Sequence, residues 1–143
     1  MAFEIVRLST GTSPYLDRVA EDVFDHPINA AQLAAFMTDP RHLMVLAIEE
    51  GTVVGMASGV EYFHPDKPPQ MWINEVGVAL THRRRGIDKA LTSALVREAR
   101  IRGCVYAWLG TASDNVAGQA CFGAVPGVES PQPFLLYEWD LES

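Results

Sequence analysis

The stretch Val76-Gly77-Val78-Ala79-Leu80-Thr81-His82-Arg83-Arg84-Arg85-Gly86-Ile87-Asp88-Lys89-Ala90 decides how this chain is read. A strand-like apolar run feeds a short loop of three arginines and a glycine, and the loop opens a long helix. Ile87, Leu91, Ala94, Leu95 and Ala99 recur at helical spacing, which predicts a helix over about 85–102. Gly103 stands where a glycine commonly ends such a helix. The first N–H groups of a helix have no internal acceptor, and with the helix dipole they attract an anion. Gly86 lets the backbone approach a phosphate closely, and the arginines add charge-assisted hydrogen bonds. The competing reading is a basic loop at an ordinary helix start. The segment is neither a Walker loop, which needs Gly-Lys-Ser/Thr, nor a Gly-x-Gly-x-x-Gly dinucleotide loop.

Outward from this loop the chain alternates strand and helix signals. A first strand is expected over 2–8, helices over 14–25 and 30–37, and strands over 43–48 and 53–63 joined by a turn at Glu49-Glu50-Gly51-Thr52. His64-Pro65-Asp66-Lys67-Pro68-Pro69 is expected as a loop, since proline removes a backbone donor. Strands over 71–80 and 105–109, a short helix over 115–122 and a last strand over 134–139 complete the order. That order implies an α/β sheet of mixed pairing with helices on both faces. With 143 residues the chain fits one domain spanning 1–143.

The net charge of −7 argues against a nucleic-acid partner, because phosphate-backbone binding needs a basic surface. The charge is unevenly placed. Residues 82–102 carry seven Lys and Arg residues against Asp88 and Glu98, so the remainder is strongly acidic. One basic island in an acidic chain suits an anionic ligand at the island and a cationic one elsewhere; solvated helix arginines are the alternative. No apolar run approaches the ~20 residues of a membrane span. The start MAFEIVRLST lacks signal-peptide features, and a cytoplasmic location is expected. Cys104 and Cys121 lack metal-ligand spacing and read as buried thiols, and His26, His42, His64 and His82 are too dispersed for a metal site.

The loop Arg83-Arg84-Arg85-Gly86-Ile87-Asp88 resembles the acetyl-CoA pyrophosphate loop of the GNAT superfamily, Gln/Arg-x-x-Gly-x-Gly/Ala, and the element order resembles that family along nearly the whole chain. The resemblance implies a mixed, largely antiparallel central sheet with helices on both faces, and acetyl-CoA as co-substrate without a metal. It implies cofactor contacts from Val76, Val78, Arg83, Arg84, Arg85, Gly86, Ile87, Asp88 and Lys89, with the Val78 amide on the acetyl carbonyl. Asp88 departs from the pattern. A carboxylate ~4 Å from a phosphate is repelled by about 1 kcal/mol in water and about 4 kcal/mol at an effective dielectric of 20. An acid in a first helical turn is also favourable in itself.

Amine acetylation requires that an ammonium lose a proton. The resemblance nominates Glu75 as general base, because the matching family strand carries an acid. A structural ion pair is its other reading. With simple alternation, Ile73, Glu75 and Gly77 share one face. The family's Asn-x-x-Ala-x-x-hydrophobic-Tyr pattern is matched by Asn115-Val116-Ala117-Gly118-Gln119-Ala120-Cys121-Phe122, where Phe122 replaces the tyrosine that protonates the leaving thiolate. Water, Cys121 or another tyrosine would then serve. Asn115 either binds the pantetheine arm or caps the helix. Asp17, Glu21, Asp22, Asp25, Glu61, Asp66 and Asp114 are acids in regions where the family binds its acceptor. Of these Asp22, Asp25, Glu61 and Asp114 are nominated to hold a polycationic amine; a solubilising surface is the bland alternative. From Leu33 onward the chain also resembles, more weakly, small aminoglycoside 3-N-acetyltransferases. A homodimer is expected from the family resemblance alone. A non-catalytic CoA-binding module and a protein or peptide acetyltransferase are the competing functions.

Overall fold

A computed structural model describes residues 2–142. Strands β1 (Glu4–Arg7), β2 (His42–Glu49), β3 (Thr52–His64), β4 (Lys67–Val78) and β5 (Tyr106–Trp108) form one sheet in the order β1-β2-β3-β4-β5. The first four pair antiparallel, and β5 joins β4 in parallel. A parallel joint needs a crossover, which α2 (Ile87–Ile101) supplies. The remaining helices are α1 (Ala30–Thr38) and α3 (Val116–Gly123). This is the expected mixed, largely antiparallel sheet.

Period-two alternation loads both sides of the central strands with apolar side chains. On one side Leu43, Val45, Ala47, Ala57, Met71 and Ile73 pack against Ile87, Leu91, Leu95 and Ala99 of α2. On the other, Leu46, Ile48, Val53 and Met56 pack with Leu8 and Val23 and with Leu33, Phe36 and Met37 of α1. Asn29 caps α1 by accepting the Gln32 N–H at 3.0 Å. The β2–β3 turn places Glu50 and Gly51 at positive φ (51° and 76°), the pair of left-handed residues that a two-residue hairpin uses.

Three expectations are corrected. The helix over 14–25 shrinks to a 3-10 turn, Ser13–Asp17. Beyond it Arg18 and Ala20 hydrogen-bond the backbone of Val53, so pairing to the start of β3 wins over helical periodicity. The loop over 64–69 is a tight turn at Pro65 and Asp66; Pro68 and Pro69 lie inside β4, in a stretch of irregular register where missing N–H donors are tolerated. Residues 134–139 form no strand, and their side chains stand exposed.

Candidate active site

The site begins with a flaw in the sheet. Ser58 pairs with Glu75 and Gly59 with Ile73, so Asn74 is the extra residue of a β-bulge. The Ser58 hydroxyl donates to Asn74 Oδ1 at 2.8 Å and holds it. The bulge resets the alternation: Ile73 faces α2, while Glu75 and Gly77 face the opposite side. The shared face expected for Ile73, Glu75 and Gly77 is therefore wrong for Ile73. Immediately before the bulge, β4 and β5 pair only over residues 70–72 and 106–108, and then part. A cavity of about 130 Å³ opens between them, lined by Asn74, Glu75, Val76, Gly110, Thr111 and Phe122 among others. Clefts beyond the carboxyl ends of parted parallel strands are where α/β sheets take ligands.

Glu75 lines this gap. A second depression is formed by the segment 16–28 and carries Asp17, Glu21, Asp22, Asp25 and His26. Gly77 lets that segment approach the strand closely, because a Cβ there would run into the carbonyl oxygen of Val23. The segment thus lies directly on β4 and brings Asp25 near Glu75. The Glu75 carboxyl is raised above the usual carboxylate range, first by desolvation and then by the charge of Asp25, with His26 opposing. An acid that holds its proton more tightly is a better base once ionised.

The arginine loop follows the C-terminal end of β4. Arg84 (φ 64°) and Gly86 (φ 77°) are both left-handed, and α2 starts with no side-chain cap. A Cβ on Gly86 would meet nothing within 4 Å, so the loop is open to a ligand. Arg83 and Arg84 are exposed. Arg85 is drawn inward: its guanidinium lies 2.8 Å from the buried carboxylate of Glu49, with His82 Nε2 at 3.8 Å from the same oxygen. Glu49 thereby ties the loop to the β2–β3 turn. From sequence alone it looked like a turn residue.

Val78 and Ile87 are buried in the core under α2, so only their backbones can serve a ligand. Lys89 is exposed, and its N–H donates to Asp88 Oδ1 at 2.9 Å. The Asp88 carboxylate also accepts the Cys121 thiol; desolvation first, and then this contact, pushes that thiol up to about 12. Cys121 faces Asp88 and does not line the gap. Asn115 caps α3 by accepting the Gly118 N–H at 3.0 Å, and its amide donates to Thr111 at 2.9 Å; it also borders the gap. Two nominated acceptor residues fall elsewhere. Glu61 is engaged by Arg102 at 3.1 Å, at the far end of α2, and lines neither depression. Asp114 is exposed in the turn before α3 and lines neither. Asp22 and Asp25 do line the acidic depression. Among the described residues no cluster of His, Cys, Asp or Glu has the arrangement of a metal site, and no helix is long and apolar enough to cross a membrane.

The model of the acetyltransferase (GNAT) family matches residues 7–124. The chain belongs to the GNAT family. An L-2,4-diaminobutyric acid acetyltransferase of Virgibacillus pantothenticus is 32% identical over 78 residues, 54% of this chain and 48% of that protein. The match spans about half the length of that curated relative. Among the solved structures that share the fold are two aminoglycoside acetyltransferases. One is the aminoglycoside acetyltransferase meta-AAC0020 from an uncultured soil metagenomic sample, in complex with trehalose (TM-score 0.76, 18% identity, 96% of this chain and 97% of that one). The other is AAC(6')-Iy with the bisubstrate analogue CoA-S-monomethyl-acetylneamine (TM-score 0.77, 18% identity, 98% and 99%). Membership of the GNAT family implies acetyl-CoA, and the residues fit it: two left-handed positions, an uncapped helix start and two exposed arginines form an open anion cradle at the start of α2.

Proposed function

We propose that this GNAT protein transfers the acetyl group of acetyl-CoA to a primary amine of a small polycationic acceptor, with Glu75 as general base. The observation that carries the reading is the position of Glu75. It follows the strand bulge at Asn74 and lines the gap, and its carboxyl is raised by desolvation and by the charge of Asp25 from the acidic depression. Arg83, Arg84 and the start of α2 would hold the pyrophosphate, and the backbone at Val76 and Val78 would align the pantetheine end. Bound acetyl-CoA supplies a thioester carbonyl open to attack. Asp22 and Asp25 hold the acceptor's spare ammonium groups, and Glu75 removes the proton from the attacking one, directly or through water. Water supplies the proton for the thiolate, since Phe122 cannot and no tyrosine lines the gap among the described residues.

The names of the relatives suggest acceptors: a diamino acid or an aminoglycoside. The test is release of free thiol from acetyl-CoA with a panel of diamino acids, polyamines and aminoglycosides, beside a calorimetric measurement of acetyl-CoA binding. Release dependent on one amine class supports the proposal and names the acceptor. Binding without release across the panel would favour a non-catalytic CoA-binding module, to which Phe122 and Asp88 point. Release only with peptides would favour a protein acetyltransferase.

A further inference from the structure

The bulge in β4 sets a second polar side chain beside Glu75. Met56 packs on the α1 side of the sheet and Ala57 on the α2 side, so Ser58 turns away from α2. Its hydroxyl reaches Asn74 Oδ1 at 2.8 Å, which brings the Asn74 carboxamide to that same side. Glu75 pairs with Ser58 and faces that side too. Asn74 and Glu75 both line the gap, and both are exposed. In an unbulged strand two consecutive side chains would stand on opposite faces; the extra residue is what puts a carboxamide next to the carboxylate.

Ser58 also fixes which end of that carboxamide is offered. It is buried, and Asn74 is the only side chain its hydroxyl reaches among the described residues. A buried O–H needs a partner that accepts from it, so Oδ1 faces Ser58 and the Nδ2 group faces outward with two N–H donors. None of the described residues takes a hydrogen bond from Nδ2. The base is therefore flanked by donors that call for an oxygen. An ammonium has no lone pair to give them, but an oxygen carried by the same molecule does. About 3.3 Å of strand separates adjacent residues, close to the spacing of an amine nitrogen and an oxygen on the neighbouring carbon. Charge decides which oxygen. Asp25 lies near Glu75, and Asp22 lines the same depression, so a second carboxylate would be repelled where a neutral hydroxyl is not.

We propose that Asn74 is a specificity-determining residue: its Nδ2 donates to a hydroxyl oxygen on the carbon next to the attacked amine, and Ser58 positions it for that contact. The acetylated compound is then an amino alcohol, the unit of an amino sugar, in preference to a plain polyamine or a diamino acid. The assignment rests on the acetyl-transfer reading for which amine is attacked, and on the bulge alone for the placing of the donor.

The test is thiol release from acetyl-CoA with three probes: propanediamine, the same diamine with a hydroxyl on its central carbon, and diaminobutyrate. The ratio of kcat/KM for the hydroxylated over the plain diamine should fall about fivefold in Asn74→Ala, the loss of one hydrogen bond, and should fall in Ser58→Ala as well. The difference in basicity between the two diamines is the same for every variant and cancels, and a damaged fold lowers both rates together. An unchanged ratio in Asn74→Ala overturns the assignment, and an unchanged ratio in Ser58→Ala overturns the positioning role. A preference for diaminobutyrate that Asn74→Ala abolishes would give the donor to a carboxylate and overturn the amino-alcohol class. Where no probe releases thiol, NMR titration of the two diamines into wild type and Asn74→Ala reads the same preference as a ratio of Kd. A hydroxyl preference lost in Asn74→Ala then supports the assignment while the acetyl-transfer reading fails; no such preference overturns it.

Discussion

Glu75 and Asp25 are coupled through the close approach of Val23 to Gly77. The negative charge of Asp25 makes the Glu75 carboxyl harder to ionise, so Asp25→Asn lowers its pKa. The base is active when ionised, so the acidic limb of the kcat/KM profile should move to lower pH in Asp25→Asn. A pH–rate profile with an unmoved limb would separate the two groups. Asp88 poses a second residue-level question. Its side chain is turned toward Cys121 and the Lys89 N–H, but its charge stays in the first turn of α2, where phosphate is expected. Asp88→Asn keeps the shape and removes the charge. Acetyl-CoA should bind about fivefold tighter by calorimetry, the equivalent of about 1 kcal/mol of relieved repulsion. Unchanged affinity would mean that the charge is screened from the ligand.

The arginine loop works as an element only if it is held. Arg85 turns inward to Glu49, leaving Arg83 and Arg84 exposed, and His82 lies on the same carboxylate. Glu49→Gln should weaken acetyl-CoA binding about tenfold and cost roughly 1–3 kcal/mol of stability as a buried ion pair is broken. Calorimetry and urea unfolding read the two effects. Tighter binding would mean that a released Arg85 serves the phosphates better than a tethered one. Much of this element was legible beforehand, because strand, glycine-bearing basic loop and amphipathic helix each leave a strong local pattern. Glu49 was not, since an acid next to Glu50-Gly51 reads as turn chemistry until the fold brings α2's loop over it. The Asn74 bulge left no mark either; one extra residue in an apolar strand changes faces without changing composition. Residues 14–25 misled for a related reason: their periodicity is helical, but the backbone finds partners on Val53.

Across the whole molecule, charge is separated. The chain carries −7, with seven of its eleven Lys and Arg residues within 82–102 and with Asp17, Glu21, Asp22 and Asp25 lining the other depression. Such a field attracts an anionic co-substrate to one end and a cationic acceptor to the other. Salt screens exposed charges over about 8–10 Å. Raising ionic strength should therefore raise KM for a polyamine or aminoglycoside more than for a monoamine of the same class, in initial-rate measurements. Equal changes would assign the acids to solubility. The mixed sheet with helices on both faces followed from the succession of strands and helices. The fate of residues 134–139 did not, because an alternating apolar segment reads as a strand even where it pairs with none of the sheet's strands.

The central claim is that Glu75 acts as the base in acetyl transfer. It is tested most directly by comparing wild type and Glu75→Gln for thiol release at saturating acetyl-CoA, with the preferred amine from the panel. The account predicts a kcat about 10²–10⁴-fold lower in Glu75→Gln, with unchanged acetyl-CoA affinity and a melting temperature equal to or above that of wild type. The last expectation follows from sign. A carboxyl raised in the folded state destabilises it as pH climbs from the unfolded-state value through the raised one, and the amide removes that cost at neutral pH. Equal turnover by wild type and Glu75→Gln would contradict the account.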